Sequence, residues 1–334
     1  MKPLKYLFIS SMLFAATSCG NSWLDLEPST SVDTETSIKI LSDVEFTLNG
    51  IYSTMQSSDA YSGRLVYYGD VTGDDMQAVS STKRVANYYR FNFTKDDNPS
   101  SHWSYLYSII QNCNLILMNI DKLVIDEDDK AYRDDLKGEA LAIRGLALFD
   151  LTRIFGYPYL KDDGASLGVP IIEGLSTIDS KPTRNTVAQC YTRIIDDLTQ
   201  SLSLLGEKFN KGKINKWGAM VLLSRVYLYK GENANALKMA SDAIIGAEKN
   251  KYALWTNEDY PTAWGEDASA SKPGEVLFEI VNLTTDSPGK ESMGYLNSYD
   301  GYDDMCITCS FYQFLKEDPK DIRLKLLSFD KKYY

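Results

Sequence analysis

Apolar residues recur three and four apart through Leu136, Ala140, Ile143, Ala147, Leu151 and Ile154. That spacing lays them along one face of an amphipathic helix. The pattern predicts a buried helix over Glu139–Gly156, with Arg144 on or beside the apolar stripe. Gly156 and Pro158 predict its end, because Gly suits the left-handed position after a last turn and Pro cannot continue the helix. An aromatic turn follows, Phe155-Gly156-Tyr157-Pro158-Tyr159.

The same period returns elsewhere. Val44, Leu48, Ile51, Tyr52 and Met55 mark a helix that Ser42 is placed to cap, and Trp103, Leu106, Ile110, Cys113, Leu117 and Ile120 mark another. Thr186-x-x-Gln189 reads as a capping box opening a helix with Val187, Tyr191, Ile194, Leu198 and Leu202 on one face. Trp217–Lys230 and Ala234–Ala247, separated by Gly231-Glu232-Asn233, set the large Trp217 and Tyr227 opposite the small Ala236, Ala240 and Ala243. Large against small across a tight turn echoes a tetratricopeptide helix pair. The clearest strand candidate is Glu275–Asn282, where Val276, Phe278 and Ile280 alternate with Leu277 and Val281. Tyr61–Phe93, Tyr252–Lys272 and Thr284–Asp304 read as irregular, and Asp126–Asp129 reads as a solvated acidic run before the central helix. The resulting fold class is mainly α, built on tetratricopeptide-like helix pairs with loop-rich insertions and few short strands.

Composition narrows the partners. The 334 residues are 44% apolar and 24% charged, with a formal net charge of −11. That balance argues against nucleic acid, which needs a basic face. The single histidine, His102, removes most His-based metal sites and acid–base chemistry. The 23 tyrosines and 5 tryptophans suit a helical core or a surface that stacks on flat ligands.

Residues 1–18 read as a secretory signal: Lys2 and Lys5 precede the apolar Tyr6–Ile9 and Met12–Ala16. The stretch is too short for a stable span. It ends in Ala16-Thr17-Ser18-Cys19, which resembles a bacterial lipobox and makes Cys19 the expected lipidation site. Acyl chains anchor a protein to a bilayer without spanning it. Of the other cysteines, Cys113 and Cys190 fall on apolar helix faces and read as small buried hydrophobes. Cys306-x-x-Cys309 lacks the second pair of a zinc ribbon and the context of a redox motif, which leaves a loop disulfide or two ordinary thiols.

Several of these segments carry a resemblance. Arg144, Phe149 and Arg153 running into Phe155-Gly156-Tyr157-Pro158, with Gly168-Val169-Pro170 after it, resemble the signature of the SusD-like (RagB/SusD) family, the nutrient-binding lipoproteins of Bacteroidetes outer membranes. Cys19–Pro28, the Trp103, Tyr107, Ile110, Asn114 helix, the blocks 184–198, 213–231 and 274–282, and Asp321-x-Arg323 are similar to family blocks in the family's order. The resemblance implies residues 1–18 as a lipoprotein signal and 19–334 as a SusD-like domain whose C-terminal part is incomplete. It also implies a cell-surface, outer-membrane lipoprotein that binds oligosaccharides or other nutrients for a SusC-like TonB-dependent transporter. No catalysis, cofactor or metal is implied. A peptide-binding member of the same fold, and a lipid-anchored carboxylate hydrolase, stand as alternatives.

Sugar rings present apolar faces and hydroxyl edges, so their sites need aromatic platforms beside paired donors and acceptors. The irregular segments supply Asp75 and Arg84 as hydroxyl partners and Tyr295 and Tyr299 as platforms. Other motifs are weaker. Gly164-Ala165-Ser166-Leu167-Gly168 matches G-x-S-x-G but follows Lys161-Asp162-Asp163 instead of a strand pattern, and His102 precedes the serine. Asp300, Asp303 and Asp304 are placed to meet a calcium ion but lack EF-hand spacing.

Overall fold

The computed structural model describes residues 37–94, 100–177, 179–210, 212–263, 274–283 and 285–327. The expected signal peptide and Cys19 lie outside the described residues. The chain divides into Met1–Lys39 and a body, Ile40–Tyr334. Residues 37–39 adopt neither helix nor strand.

The body is built on helices α1 (Leu41–Met55), α2 (Arg64–Thr72), α3 (Ala86–Tyr89), α4 (Ser100–Asn119), α5 (Lys130–Phe155), α6 (Val187–Leu204), α7 (Lys216–Lys230) and α8 (Asn233–Lys249). Short helices α9 (Tyr260–Ala263), α10 (Met293–Asn297) and α11 (Cys309–Lys316) follow. Strands β1 (Met76–Ala78) and β2 (Met305–Ile307) form a two-stranded antiparallel sheet with Gln77 opposite Cys306. No described helix is long and apolar enough to cross a membrane.

Helix α5 is the centre. It packs against α1, α4 and α6, while α7 packs on α6 and α8 on α7. From Gly138 to Thr152 every residue of α5 is buried, so it is covered on all sides and not along one stripe. Arg144 is 7% exposed, and its burial is possible because α6 supplies a matched carboxylate. Its Nε and Nη2 donate to the two Asp197 oxygens at 2.8 and 2.6 Å, and Nη1 donates to Asn114 Oδ1 of α4 at 2.8 Å. Asn114 in turn donates to the carbonyls of Ile172 and Gly174 at 2.8 and 3.0 Å. A bidentate Arg–carboxylate pair backed by a further hydrogen bond is the arrangement that makes a buried charge tolerable. This network keys α4, α5, α6 and the loop after α5 into one register.

Local signals explain the ends. Thr186 and Gln189 form the capping box: the Gln189 N–H donates to Thr186 Oγ1 at 3.2 Å and the Thr186 N–H donates to Gln189 Oε1 at 2.9 Å. Gly231 ends α7 with φ 84°, a left-handed turn that lets α8 fold back. In that pair Gly246 leaves the space that the Trp217 ring fills. Cys113 and Cys190 are buried, and the four described cysteines are free thiols.

Three expectations change. Ser42 does not cap α1: Ile40 is the N-cap, and its N–H donates to Asp43 at 3.0 Å. Gly156 is extended, with φ −103° and ψ 177°, not left-handed. It is a glycine because an added Cβ would sit 2.6 Å from the Thr152 carbonyl oxygen and 3.2 Å from the Gly168 Cα. Glu275–Asn282 forms no strand ladder, whereas the described sheet joins Met76–Ala78, inside a segment read as irregular, to Met305–Ile307, just past another and assigned to no element.

Candidate ligand-binding face

The β1–β2 pairing brings the Tyr61–Phe93 and Thr284–Asp304 segments together. A small core of Tyr67, Val71, Val85, Leu296 and Met305 sits beneath them, with Tyr88, Met76 and Met293 packed on it. Ser292 caps α10 by accepting the Tyr295 N–H at 3.3 Å. The loop then closes on itself: Tyr302 N–H donates to the Tyr295 carbonyl at 2.9 Å, and Gly301 and Asp303 N–H donate to the Ser298 carbonyl at 3.0 and 3.2 Å. Tyr299 sits within this closed loop with 52% of its surface exposed.

Arg84 fastens the loop to α3. Its Nε and Nη2 reach Asp304 Oδ2 at 3.0 and 2.8 Å, and its Nη1 lies 3.4 Å from Glu291. Its guanidinium also lies 4.0 Å over the centroid of the Tyr302 ring, which stands edge-on to Tyr295 at 5.3 Å. Lys83 donates to the Tyr302 carbonyl at 2.6 Å. The structure therefore gathers Arg84 and Tyr295, with Tyr302 between them, while Arg84 spends its donors on holding the loop.

Asp75 stands apart from that group. It is exposed beside β1, where its carbonyl accepts the Thr308 N–H at 2.9 Å. Among the described residues no hydrogen bond or ion pair joins its carboxylate to Arg84. Its charge is felt by Asp70, whose carboxyl is pushed up by burial and then by Asp75.

Two further exposed rings follow α3. Phe91 is 64% exposed and holds φ at 53°, a left-handed conformation that is uncommon for a bulky residue. Phe93 stands edge-on to it at 6.3 Å and packs on Tyr88 at 5.8 Å. An exposed aromatic in a costly backbone conformation is a feature that functional sites retain. The alternation Arg90-Phe91-Asn92-Phe93 carries this signal in the sequence, but periodicity treats it as loop.

Among the described residues, neither the calcium loop nor the nucleophile elbow has its geometry. Asp304 is 2% exposed and paired with Arg84, and Asp303 lies 3.9 Å from Lys83, so both carboxylates are answered by cations. Among the described residues no cluster of ligating side chains fit for a metal ion is found. Ser166 donates its hydroxyl to Asp162 at 2.5 Å in a loop with no strand before it, unlike a nucleophile elbow. His102 is wholly buried, with Nδ1 2.9 Å from the Asp59 carbonyl, and burial lowers its pKa.

A family model described as SusD-like, starch-binding and associating with the outer membrane matches residues 22–228. The chain belongs to the SusD-like family. A SusD-like protein of Formosa agariphila is 28% identical over 311 residues, a match covering 90% of this chain and 57% of that one. A solved protein of Bacteroides vulgatus, described as a candidate sugar binder, is 82% identical with a TM-score of 0.87, covering 90% of this chain and 67% of its own. A SusD superfamily protein of the same organism is 37% identical with a TM-score of 0.82, covering 88% and 66%. This SusD-like chain thus spans just over half the length of its Formosa relative and about two thirds of the two solved ones.

Proposed function

We propose that this SusD-like chain captures oligosaccharides on the exposed aromatic face and hands them on unchanged. The observation that carries the reading is the pair of exposed rings Tyr299 and Tyr302 on the loop braced by Arg84 and Asp304, with exposed Phe91 and Phe93 on the turn after α3. Open rings bind the apolar faces of sugars, and fixed charged neighbours meet their hydroxyl edges. The family's description as starch-binding and the sugar-binding description of the 82%-identical relative support the same ligand class. An open face of this kind does not enclose a bond between an acid and a base, so the reading is non-catalytic. Tyr295 and Tyr299 are the platforms and Arg84 both brace and partner, while Asp75, apart from them, is a hydroxyl partner at the edge of the face. Tyr299→Ala should weaken oligosaccharide binding by about 1 kcal/mol, roughly fivefold, the worth of one aromatic contact. Isothermal titration reads this, and unchanged affinity would remove Tyr299 from the site.

The proposal extends to the membrane. Residues 1–18 act as the signal, Cys19 carries the acyl anchor, and residues from 19 onward work at the cell surface beside a SusC-like TonB-dependent transporter. The ATSC sequence after a basic and apolar leader supports the anchor, and the outer-membrane description of the family supports the location. Cys19→Ala should move the protein from the membrane fraction to the soluble one. Retention of the variant in membranes, together with no acyl mass on the wild type, would contradict the anchor.

A further inference from the structure

His102 is the only histidine of the 334 residues, and it is wholly buried in the first turn of α4. Its Nδ1 lies 2.9 Å from the Asp59 carbonyl. A carbonyl can only accept, so Nδ1 carries the proton and Nε2 is the bare nitrogen of a neutral ring. Among the described residues Nε2 is buried with no hydrogen-bond partner. A second proton would have to go there, as a buried donor with nothing to accept it. It would also set a positive charge at the positive end of a helix.

The charges around the ring do little to offset this. Helix α4 contains no Asp, Glu, Lys or Arg. The turn before α2 brings Asp59, whose carboxylate is taken by Arg64 Nη1 at 2.6 Å, so the two charges act on the imidazole together and in opposite senses. Helix α2 brings Tyr67 and Tyr68, both kept as neutral phenols by burial. On α5, which packs along α4, Asp150 is answered by Arg153 and the Tyr61 hydroxyl. Burial is the largest influence, and it lowers the pKa of His102 below the ordinary 6.5.

Two routes lead from this ring to the aromatic face. Along one, His102 stands edge-on to Tyr68 at 5.9 Å; Tyr68 in turn stands edge-on to Tyr88 at 5.4 Å and packs on Phe93 at 6.2 Å. Tyr88 packs on the small core beneath both loops. Along the other, Asp59 holds Arg64, and Arg64 and Arg84 share Glu291 at 3.8 and 3.4 Å. Arg84 is the brace that Asp304 receives.

We propose that His102 is a positioning residue for the aromatic face: the neutral ring keeps the face in order, and acid, by adding a proton at Nε2, loosens it and releases glycan. The release of glycan rests on the reading of that face as the glycan site. The ordered face excludes the second proton, whereas a state in which the start of α4 has drawn away from Asp59 admits it. The order is therefore fully present above pH 6.5 and is lost as pH falls below it.

The test uses the full chain without added histidines. Its single imidazole C2–H resonance, followed by NMR on protein labelled at the histidine ring, should titrate with a midpoint below 6.5. Hydrogen exchange, corrected for the intrinsic effect of pH, should show residues 57–68 and 86–94 opening more at pH 5 than at pH 7.5, while α5 stays protected. Glycan affinity should fall about tenfold over the same interval. His102→Gln keeps a donor but does not titrate, so it should lose this pH dependence. His102→Phe, which keeps a ring on Tyr68 and does not titrate either, makes the same comparison if the glutamine variant does not fold. An imidazole midpoint at or above 6.5, equal opening of those segments at the two pH values, or the wild-type pH profile in a folded variant would each overturn the proposal. The first two readouts need neither glycan nor variant. A chain that passes them but binds no glycan at either pH refutes the glycan reading and leaves the acid-opened support standing, so the two fail separately.

Discussion

Asp197→Ala should cost about 3–5 kcal/mol of folding stability, because it leaves a buried arginine without its counter-charge. Arg144 and Asp197 are 7% and 1% exposed, and Arg144 would keep only Asn114 as a partner. The expected result is a large drop in the urea midpoint with the slope unchanged. Arg193→Ala provides the contrast. Arg193 also touches Asp197, at 3.1 Å, but its side chain is 24% exposed and its other partner, Glu173, is 72% exposed. That change should cost no more than about 1 kcal/mol. Equal losses in the two variants would show that the Arg144 network does not organise the helices.

Glu139→Gln should stabilise the protein at neutral and alkaline pH. Glu139 lies in α5, 4% exposed, and accepts the Tyr52 hydroxyl of α1 at 2.6 Å; that hydroxyl also accepts the Ile214 N–H at 3.1 Å. Burial pushes its carboxyl up from 4.5 to about 7, against the lowering effect of the Tyr52 hydrogen bond and Lys213 and with the help of Asp135 and Glu45. Tyr52 is itself raised well above its ordinary value by burial and by Glu139, so it stays a donor. The folded state therefore keeps a proton that the unfolded chain releases. This contribution to stability is fully present below pH 4.5 and is lost as pH rises to about 7. Glutamine does not titrate. Relative to the variant, the wild type should lose stability across that window, by about 3 kcal/mol at pH 8 if the whole shift is realised. Urea titrations of both proteins at pH 5 and pH 8 measure it, and parallel pH profiles would refute the buried, protonated carboxyl.

The helical frame was legible because its burial follows the helical period. Even so, the stripe through Leu136, Ala140, Ile143, Ala147 and Leu151 described one face of a helix that is buried all round. What periodicity could not show was why Arg144 is tolerated there, since its partner lies 53 residues away. Gly156 was recognised as a helix stop, but the reason is a close backbone approach, which only packing reveals. Strand reading failed in both directions for one physical reason. Alternation marks a segment able to pair, while a ladder needs a second segment: Glu275–Asn282 has the pattern without a described partner, and Met76–Ala78 finds Met305–Ile307 across more than two hundred residues. On the candidate face, composition pointed to two loops, and the fold places Arg84 and Tyr295 close together through Tyr302. It could not foresee that Asp304 would be buried against Arg84, which makes the expected hydroxyl partner a brace as well.

The central claim is that the aromatic face binds oligosaccharide and leaves it intact. Isothermal titration of the wild-type chain against a glycan panel, followed by chromatography of the recovered samples after long incubation, tests it most directly. The account predicts saturable binding of at least one oligosaccharide that is recovered uncut. Absence of binding across the panel, or cleavage products that a protein-free control lacks, would contradict it.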